Sequence, residues 1–354
     1  MFKSSHSPNM HNAQSQMRQM MLQVLLASLP GIFALFYFFG WGVLINIVIA
    51  SITAIATEAL ILKIRQRDWR QALSDNSALV TAFLLAIAIP PLVPWWITVT
   101  GVFFAITFAK HLYGGLGYNP FNPAMVGYVL LIISFPVQMT SWSPASPLWE
   151  NPLSFIDTIA IIFTGLTQSG ISLELLINGF DGYSTATPLG ALKIALTEGY
   201  MTSEILTRPL FSWLAGVGWQ WVNIGFLLGG LYLVYKKVIA WQLSIAFLTG
   251  LAACAILFSL FAGDSYPSPL IHLFSGGTML AAFFIVTDPV TASTTVKGRW
   301  IFGIGVGIIT WIIRTYGGYP DAIAFSVLLM NMAAPTIDYY TRPVAYGEQS
   351  ENEQ

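Results

Sequence analysis

The sequence predicts an all-helical, polytopic membrane protein of about ten transmembrane helices, and three observations predict it. Of 354 residues, 55% are hydrophobic and only 9% charged, against roughly 25% charged in a soluble domain. The mean hydropathy is +0.68, too apolar for a soluble chain of this length to cover its core with polar surface. The apolar residues come in runs of about 20, the length of an α-helix crossing a bilayer core of about 30 Å. Outer-membrane barrels show alternation in ten-residue segments instead, so the pattern is of the inner-membrane type. Fifteen Lys+Arg balance 16 Asp+Glu, and the net charge of −1 leaves no basic field to recruit nucleic acid. Cys254 is the only cysteine, which excludes a disulfide framework, and a cysteine-ligated iron–sulfur cluster or zinc site within this chain alone.

Ten spans follow in order, at about 20–39, 41–62, 77–90, 94–112, 122–139, 219–235, 240–262, 270–287, 300–315 and 320–337. The first is a span rather than a signal peptide, because no small-residue cleavage site follows it and a second span begins at Trp41. The third is short and stops at Pro90-Pro91. Short or Pro/Gly-broken spans are common where a discontinuous helix lines a site. These spans divide the chain into a tail (1–19), a first five-helix unit (20–139), a long loop (140–218), a second five-helix unit (219–338) and a second tail (339–354).

An even number of spans puts both tails on one side. With the N-terminus inside, the inner segments collect Lys3, Arg18, Lys63, Arg65, Arg67, Arg70, Lys110, Lys236, Lys237, Lys297, Arg299 and Arg342. The outer segments collect only Lys193, Arg208 and Arg314. Twelve against three is a strong positive-inside bias, so both termini are read as cytoplasmic. Trp41, Trp95, Trp96, Trp219 and Trp221 then fall at outer interfaces, and Trp241 and Trp300 at inner ones, as aromatic belts require. The 140–218 loop lies outside, with six acidic residues against two basic ones. Its apolar stretch near Phe155–Gly165 reads as a packed or interfacial helix and argues against disorder.

A shift of 198 residues lays Ser77–Pro91 on Ser275–Pro289, and the same shift places Ala124 on Ala322 and Val129-Leu130-Leu131 on Val327-Leu328-Leu329. A repeat unit of five spans is odd, so its second copy is inverted in the membrane. Inverted repeats place binding sites near the midplane, at interrupted helices in equivalent positions. Spans three and eight are those candidates, with Pro90-Pro91 in one and Gly276-Gly277 plus Asp288-Pro289 in the other.

The outer loop carries Asp181-Gly182-Tyr183-Ser184-Thr185-Ala186-Thr187-Pro188. By local physics this is a turn opened by Asp-Gly, with a hydroxyl cluster ending against a proline, and a cap is its plain structural role. Asn119 and Asn122 each precede a proline before span five, and Thr287-Asp288-Pro289 ends span eight, both ordinary start and stop signals. Glu58 lies within span two, about one turn from Lys63, where pairing or snorkelling toward the cytoplasm is the favoured reading. Arg314 and Asp321 flank a Tyr-Gly-Gly-Tyr-Pro turn and are expected to form a structural ion pair. His111 and His272 sit singly, without a second ligand at metal spacing, and Cys254 reads as small apolar packing.

Taken together, the ten spans, the loop pattern Asp-x-x-Ser-x-Ala-Thr, Asn119-Pro120-Phe121-Asn122-Pro123-Ala124 and Thr287-Asp288-Pro289 resemble the D subunit of Rnf-type electron transport complexes. They are similar, more distantly, to the B subunit of the sodium-pumping NADH:quinone reductase. The resemblance covers about residues 20–343. It implies a scaffold similar to urea transporters, with FMN joined covalently through its phosphate to Thr187. Asp181, Ser184 and Ala186 would then belong to the signature read by a flavin-attaching enzyme working outside the cytoplasmic membrane, in agreement with the outward loop. Thr185 stands where the family pattern often has Gly, and it is a competing hydroxyl beside Thr187. The resemblance also implies a second flavin, riboflavin, held non-covalently in the membrane part. Asn119, Asn122, Thr287 and Asp288 are the polar groups best placed to hydrogen-bond it.

The functional expectation is a redox subunit that passes electrons through its flavins and couples their transfer to moving Na⁺ or H⁺. The chain lacks a nucleotide-binding Gly-rich fingerprint and ferredoxin-type cysteines. Partner subunits, implied to be A, B, C, E and G, must therefore supply NADH and iron–sulfur chemistry. Two other readings use the same scaffold: a channel or carrier for a small polar solute, and a structural anchor with Thr187 unmodified. A solute channel has no use for a flavin-attachment motif.

Overall fold

The computed structural model describes residues 8–69, 73–149, 152–178, 187–319 and 322–343, with side chains from Ser15 onward apart from those of Glu174, Ile177 and Asn178. Every predicted span is met by helix. The first half runs α1 (Pro8–Phe39), α2 (Gly42–Ile64), α3 (Ser77–Ala88), α4 (Trp95–Phe104, continued by a π-helix over Ala105–His111) and α5 (Pro123–Ser134). The loop holds α6 (Phe155–Thr164), α7 (Leu173–Asn178) and α8 (Pro188–Thr197). The second half runs α9 (Trp219–Tyr235), α10 (Trp241–Phe261), α11 (Pro269–Phe274), α12 (Thr278–Leu280, continued by a π-helix over Ala281–Ile285), α13 (Val296–Tyr316) and α14 (Ile323–Thr341). Four of these helices, Ser15–Phe39 of α1, α2, α10 and α13, are long and apolar enough to cross a membrane.

The sequence explains where the others stop short. Pro90 forces Ile89 into an extended conformation (φ −92°, ψ 156°), which ends α3 after 12 residues. Span eight, expected as an interrupted helix at Gly276-Gly277, is two helices, since α11 ends at Phe274 and Gly276 turns the chain at φ +57° before α12 resumes. Span five also divides, at Phe135-Pro136, so α5 has 12 residues and a short helix, Pro136–Thr140, follows. The two segments aligned by the 198-residue shift share a plan: each begins a helix at or just after its serine and stops before its proline.

Helix pairing follows the same plan in both halves. α2 packs on α3 and α4 as α10 packs on α11 and α13; α4 packs on α5 as α13 packs on α14. The halves join through α1 against α9 and α5 against α14. Close approach depends on missing side chains, the usual device for helices in lipid. A Cβ on Gly229 of α9 would overlap the carbonyl oxygen of Ala27 in α1, and one on Gly307 of α13 would overlap that of Phe247 in α10. One continuous core of buried apolar residues runs through both halves.

The ends of the described chain gather at one end of the bundle, where Thr295 of the α13 approach meets Thr341 of α14; this is the tail end. The loop covers the other. There α6 lies across the ends of α2 and α4, with Phe155 edge-on to Trp41 at 5.1 Å and Phe163 stacked on Trp95 at 6.2 Å. The apolar stretch predicted as a packed helix is this one. α8 forms a separate small core of Ala191, Leu192, Ala195, Ile205, Leu210 and Phe211.

Because the obstruction at Gly229 is backbone, no side-chain shift relieves it. Gly229→Val is expected to lower stability by about 3 kcal/mol, the upper range of overpacking. Unfolding in mixed detergent micelles checks it, with Gly263→Val, on a glycine outside the helices, as the mild control.

Candidate functional site

The four polar residues expected at the ends of spans five and eight converge on one cavity at the tail end. Asn119, Asn122, Thr287 and Asp288 all line it, and with its mouth it holds about 790 Å³ of empty space. Asn122 caps α5, its Oδ1 accepting from the Met125 N–H at 3.3 Å, while its Nδ2 donates to Asp288 Oδ2 at 3.3 Å. That bond joins the two halves of the chain. Asp288 Oδ2 also accepts from Thr291 Oγ1 at 3.1 Å, and the Asn122 N–H donates to Asn331 Oδ1 at 3.2 Å. Thr287 Oγ1 donates back to its own helix, at Phe283. Asn119 Nδ2 donates to the Phe121 carbonyl at 3.1 Å, but its Oδ1 is buried with no partner among the described residues. A buried, unsatisfied acceptor in a cavity wall is a standing demand for a donor.

Sequence reasoning missed three further groups on this wall: Ser77, Thr81 and Lys110. Lys110 is 2% exposed, and its Nζ donates to Glu58 Oε1 at 2.5 Å and to Ser77 Oγ at 2.7 Å. Glu58, expected near Lys63 or snorkelling outward, is instead turned inward and is itself 2% exposed. His111 Nε2 lies 3.2 Å from the same Glu58 oxygen, while Glu58 Oε2 has no partner. A water-facing position for Glu58 would leave the buried Lys110 cation uncompensated, and that penalty decides the geometry. The signal for it was the presence of Lys110 inside a predicted span rather than beyond its end.

Each half braces its interrupted helix with an asparagine from a neighbour. Asn46 Nδ2 donates to the carbonyls of Pro90 and Pro91, both at 3.2 Å, just past the end of α3. Asn223 reaches across the break between α11 and α12, donating to Phe274 and Gly276 carbonyls at 3.0 and 2.9 Å and accepting from the Met279 N–H at 3.0 Å. Arg314 is buried rather than superficial, and donates to the His272 carbonyl at 2.8 Å and Thr278 Oγ1 at 3.0 Å across the same break. Asp321, its expected partner, lies outside the described residues. His272 is buried beneath that contact. Among the described residues no group of three or more His, Cys, Asp or Glu could hold a metal. Cys254 packs against the core.

At the loop end, Asp181, Ser184, Thr185 and Ala186 lie outside the described residues. Thr187 is described through its cap: it is the N-cap of α8, with Pro188 at the first helical position and its Oγ1 accepting from the Gly190 N–H at 3.1 Å. The hydroxyl sits at the positive end of the helix dipole, a natural place for a phosphate. Nearly two turns on, Lys193 Nζ donates to the carbonyls of Arg314, at 3.1 Å, and Gly317. It thus ties α8 to the open carbonyls ending α13. Burial pushes the Lys193 ammonium below the usual lysine range.

A second, largely apolar cavity opens among Ile87, Met125, Tyr128, Trp142 and Trp219. Its lining of Ile87 and Met125 is one turn or less from Leu84 and Ala124 of the first cavity. Among the described residues the bundle is all helix, with four helices long and apolar enough to cross a membrane and broken, polar-braced helices beside its cavities, which defines a class, the multi-pass membrane proteins.

Within it the family is definite. The chain matches the NQR2, RnfD, RnfE family over residues 3–347 and belongs to that family. It is 54% identical over 349 residues to the D subunit of the ion-translocating oxidoreductase complex of Escherichia coli O127:H6, covering 98% of this chain and 99% of that one. The protein of the same name from Shigella dysenteriae serotype 1 matches to the same extent, and that of Pectobacterium atrosepticum is 54% identical over 347 residues, covering 98% of this chain and 99% of its own.

Removing one member of the buried pair is expected to cost about 3–5 kcal/mol, as in Glu58→Ala. The double change Glu58→Leu with Lys110→Leu is expected to cost less than Glu58→Ala alone. A double-mutant cycle on detergent unfolding reads the difference directly.

Proposed function

We propose that this chain is the D subunit of an ion-translocating oxidoreductase complex in a bacterial inner membrane. It carries electrons through a covalent FMN and a second, non-covalent flavin. The observation that carries the reading is end-to-end likeness, at 54% identity, to relatives bearing that name. The paired contacts of the two halves support ten spans in two inverted five-helix repeats. The charge bias supports cytoplasmic tails and a periplasmic 140–218 loop.

FMN is assigned to Thr187 Oγ1. A flavin-attaching enzyme would transfer the flavin phosphoryl group from a flavin nucleotide phosphoanhydride: the Thr187 Oγ1–P bond would form as the P–O–P bond breaks, the nucleoside monophosphate would leave, and the hydroxyl proton would pass to a base of that enzyme. The ester oxygen keeps a lone pair for the Gly190 N–H, and the phosphate lies at the N-terminus of α8.

Riboflavin is assigned to the tail-end cavity, whose residues fit it. Asn119 Oδ1 is a vacant acceptor for an imide N–H, and Lys110 Nζ and Asn122 Nδ2 are donors for its carbonyls. Bound there, a flavin supplies one- and two-electron chemistry. The chain's part is to orient the ring, exclude water and set its potential through these hydrogen bonds. Iron–sulfur and NADH chemistry belong to partner subunits, read as A, B, C, E and G. The electron transfer is coupled to Na⁺ or H⁺ movement. The second cavity is too apolar to serve a polar-solute channel, which weakens that reading.

Two measurements test these assignments. The chain, expressed with its flavin-attaching enzyme, is expected to give a fluorescent band on a denaturing gel that Thr187→Val abolishes and Thr185→Val leaves intact. A band that survives Thr187→Val overturns the site. Asn119→Leu is expected to release the non-covalent flavin from the purified complex, measured by chromatography of an acid extract, with the covalent band unchanged. Full retention of extractable flavin overturns the cavity assignment.

A further inference from the structure

A third cavity at the tail end, of about 740 Å³ with its mouth, lies between the α9–α10 turn and the start of α13. Lys237 contributes from the turn and Arg299 from the first turn of α13. Neither cation has an ion-pair or hydrogen-bond partner for its side chain among the described residues. Three other cations are occupied: Lys110 by Glu58, Lys193 by helix-end carbonyls, and Arg65 by the His111 carbonyl at 2.8 Å. The nearby carboxylate of Asp338 forms no ion pair with either cation among the described residues. Asp338 accepts from Ser293 Oγ, from the Thr294 N–H at 3.0 Å and from Thr294 Oγ1 at 2.9 Å. α10 begins at Trp241 behind Ala240, which lines the cavity and offers no side-chain cap, so positive helix-end N–H groups add to the field. Lys237 holds φ at 56°, a conformation glycine would adopt more easily, yet a lysine stands there.

We propose that this cavity binds the phosphate headgroup of an anionic phospholipid. The shared chemistry is a phosphate oxyanion, and three observations favour a lipid source over a soluble one. Trp241 and Trp300 meet edge to face at 6.1 Å beside the cavity, the pairing of rings found at headgroup depth. From there an apolar track for acyl chains runs down both helices, with Ile245 45% and Ile301 52% exposed. Unneutralised basic pockets between membrane helices on the side rich in Lys and Arg are the recurrent setting for such headgroups. The inference stands apart from the flavin assignments and needs none of them.

The test uses the whole purified complex, wild type beside Lys237→Gln/Arg299→Gln, delipidated in mild detergent. Native mass spectrometry and thermal unfolding are read on adding phosphatidylglycerol, phosphatidylethanolamine or inorganic phosphate. Phosphatidylglycerol is expected to bind and raise the Tm of the wild type, with affinity about thirtyfold weaker in the double variant, the loss expected of two juxtamembrane charges. Lys63→Gln, which removes a charge from the same end, is expected to bind as wild type does. An equal response to phosphatidylethanolamine, or an unchanged affinity in the double variant, overturns the proposal. An equal rise with inorganic phosphate overturns the lipid source. The Tm of each variant without lipid shows whether it is folded, and Arg299→Lys, which keeps the charge, is expected to retain most of the binding.

Discussion

A helix broken inside a membrane frees backbone groups that lipid cannot hydrogen-bond, and the rest of this fold is arranged around that constraint. α3 stops at Pro90-Pro91 and α11 stops at Phe274, leaving carbonyls at depth. Asn46 and Asn223 meet them, each from a neighbouring helix rather than the broken one. An amide suits this work because it donates and accepts without charge, and Asn223 does both across a single gap. Small residues then let neighbouring helices come close, as at Gly229 and Gly307. Each break is thereby held as a fixed shape, not as a flexible joint.

The braces also connect the two ends of the molecule. Arg314 fastens the break between α11 and α12 with its side chain, while its own carbonyl accepts from Lys193 of α8. α8 is capped by Thr187. The polypeptide that begins at that break ends at Thr287 and Asp288, on the wall of the tail-end cavity. A displacement of α8 therefore meets rigid contacts all the way to the cavity. Coupling between redox state and ion access requires a differential interaction with two arrangements of some element. For the coupling proposed above, the broken helix α11–α12, held by Arg314 at its break and by Asn122 at Asp288, is the element to examine.

What was legible in the sequence was what composition and punctuation encode. Apolar runs located the helical segments, and Pro90, Gly276 and Pro289 marked where helices stop, because these residues act through their own backbone. Asn122 and Asp288 were singled out as separate start and stop signals, and the structure brings them into one hydrogen bond across 166 residues. The inward turn of Glu58 was signalled only indirectly, by Lys110 inside a predicted span. A carboxylate near the end of an apolar run satisfies the same local pattern whether it faces water or a cation, and only the three-dimensional position of Lys110, 52 residues away, decides. The contacts of Arg314 across the break were hidden for the same reason: they include a backbone carbonyl, which carries no signature in the sequence.

Charge balance separates the two cavities that share the tail end and the residues Val238, Ile239, Thr287 and Pro289. In the first, the Lys110 cation is matched by Glu58 and the Asp288 carboxylate is wrapped by Asn122, Thr291 and the Val290 N–H. Such a wall holds hydrogen-bonding groups in low dielectric, which fits the proposed neutral ring, whose carbonyls and imide need partners. In the other, Lys237 and Arg299 stand without an ion-pair partner among the described residues, and an anionic occupant would give them one. The two proposed sites adjoin, yet their linings suit different ligands. The difference lies in which carboxylates the fold has already committed to its own cations and hydroxyls, not in the size of the cavities.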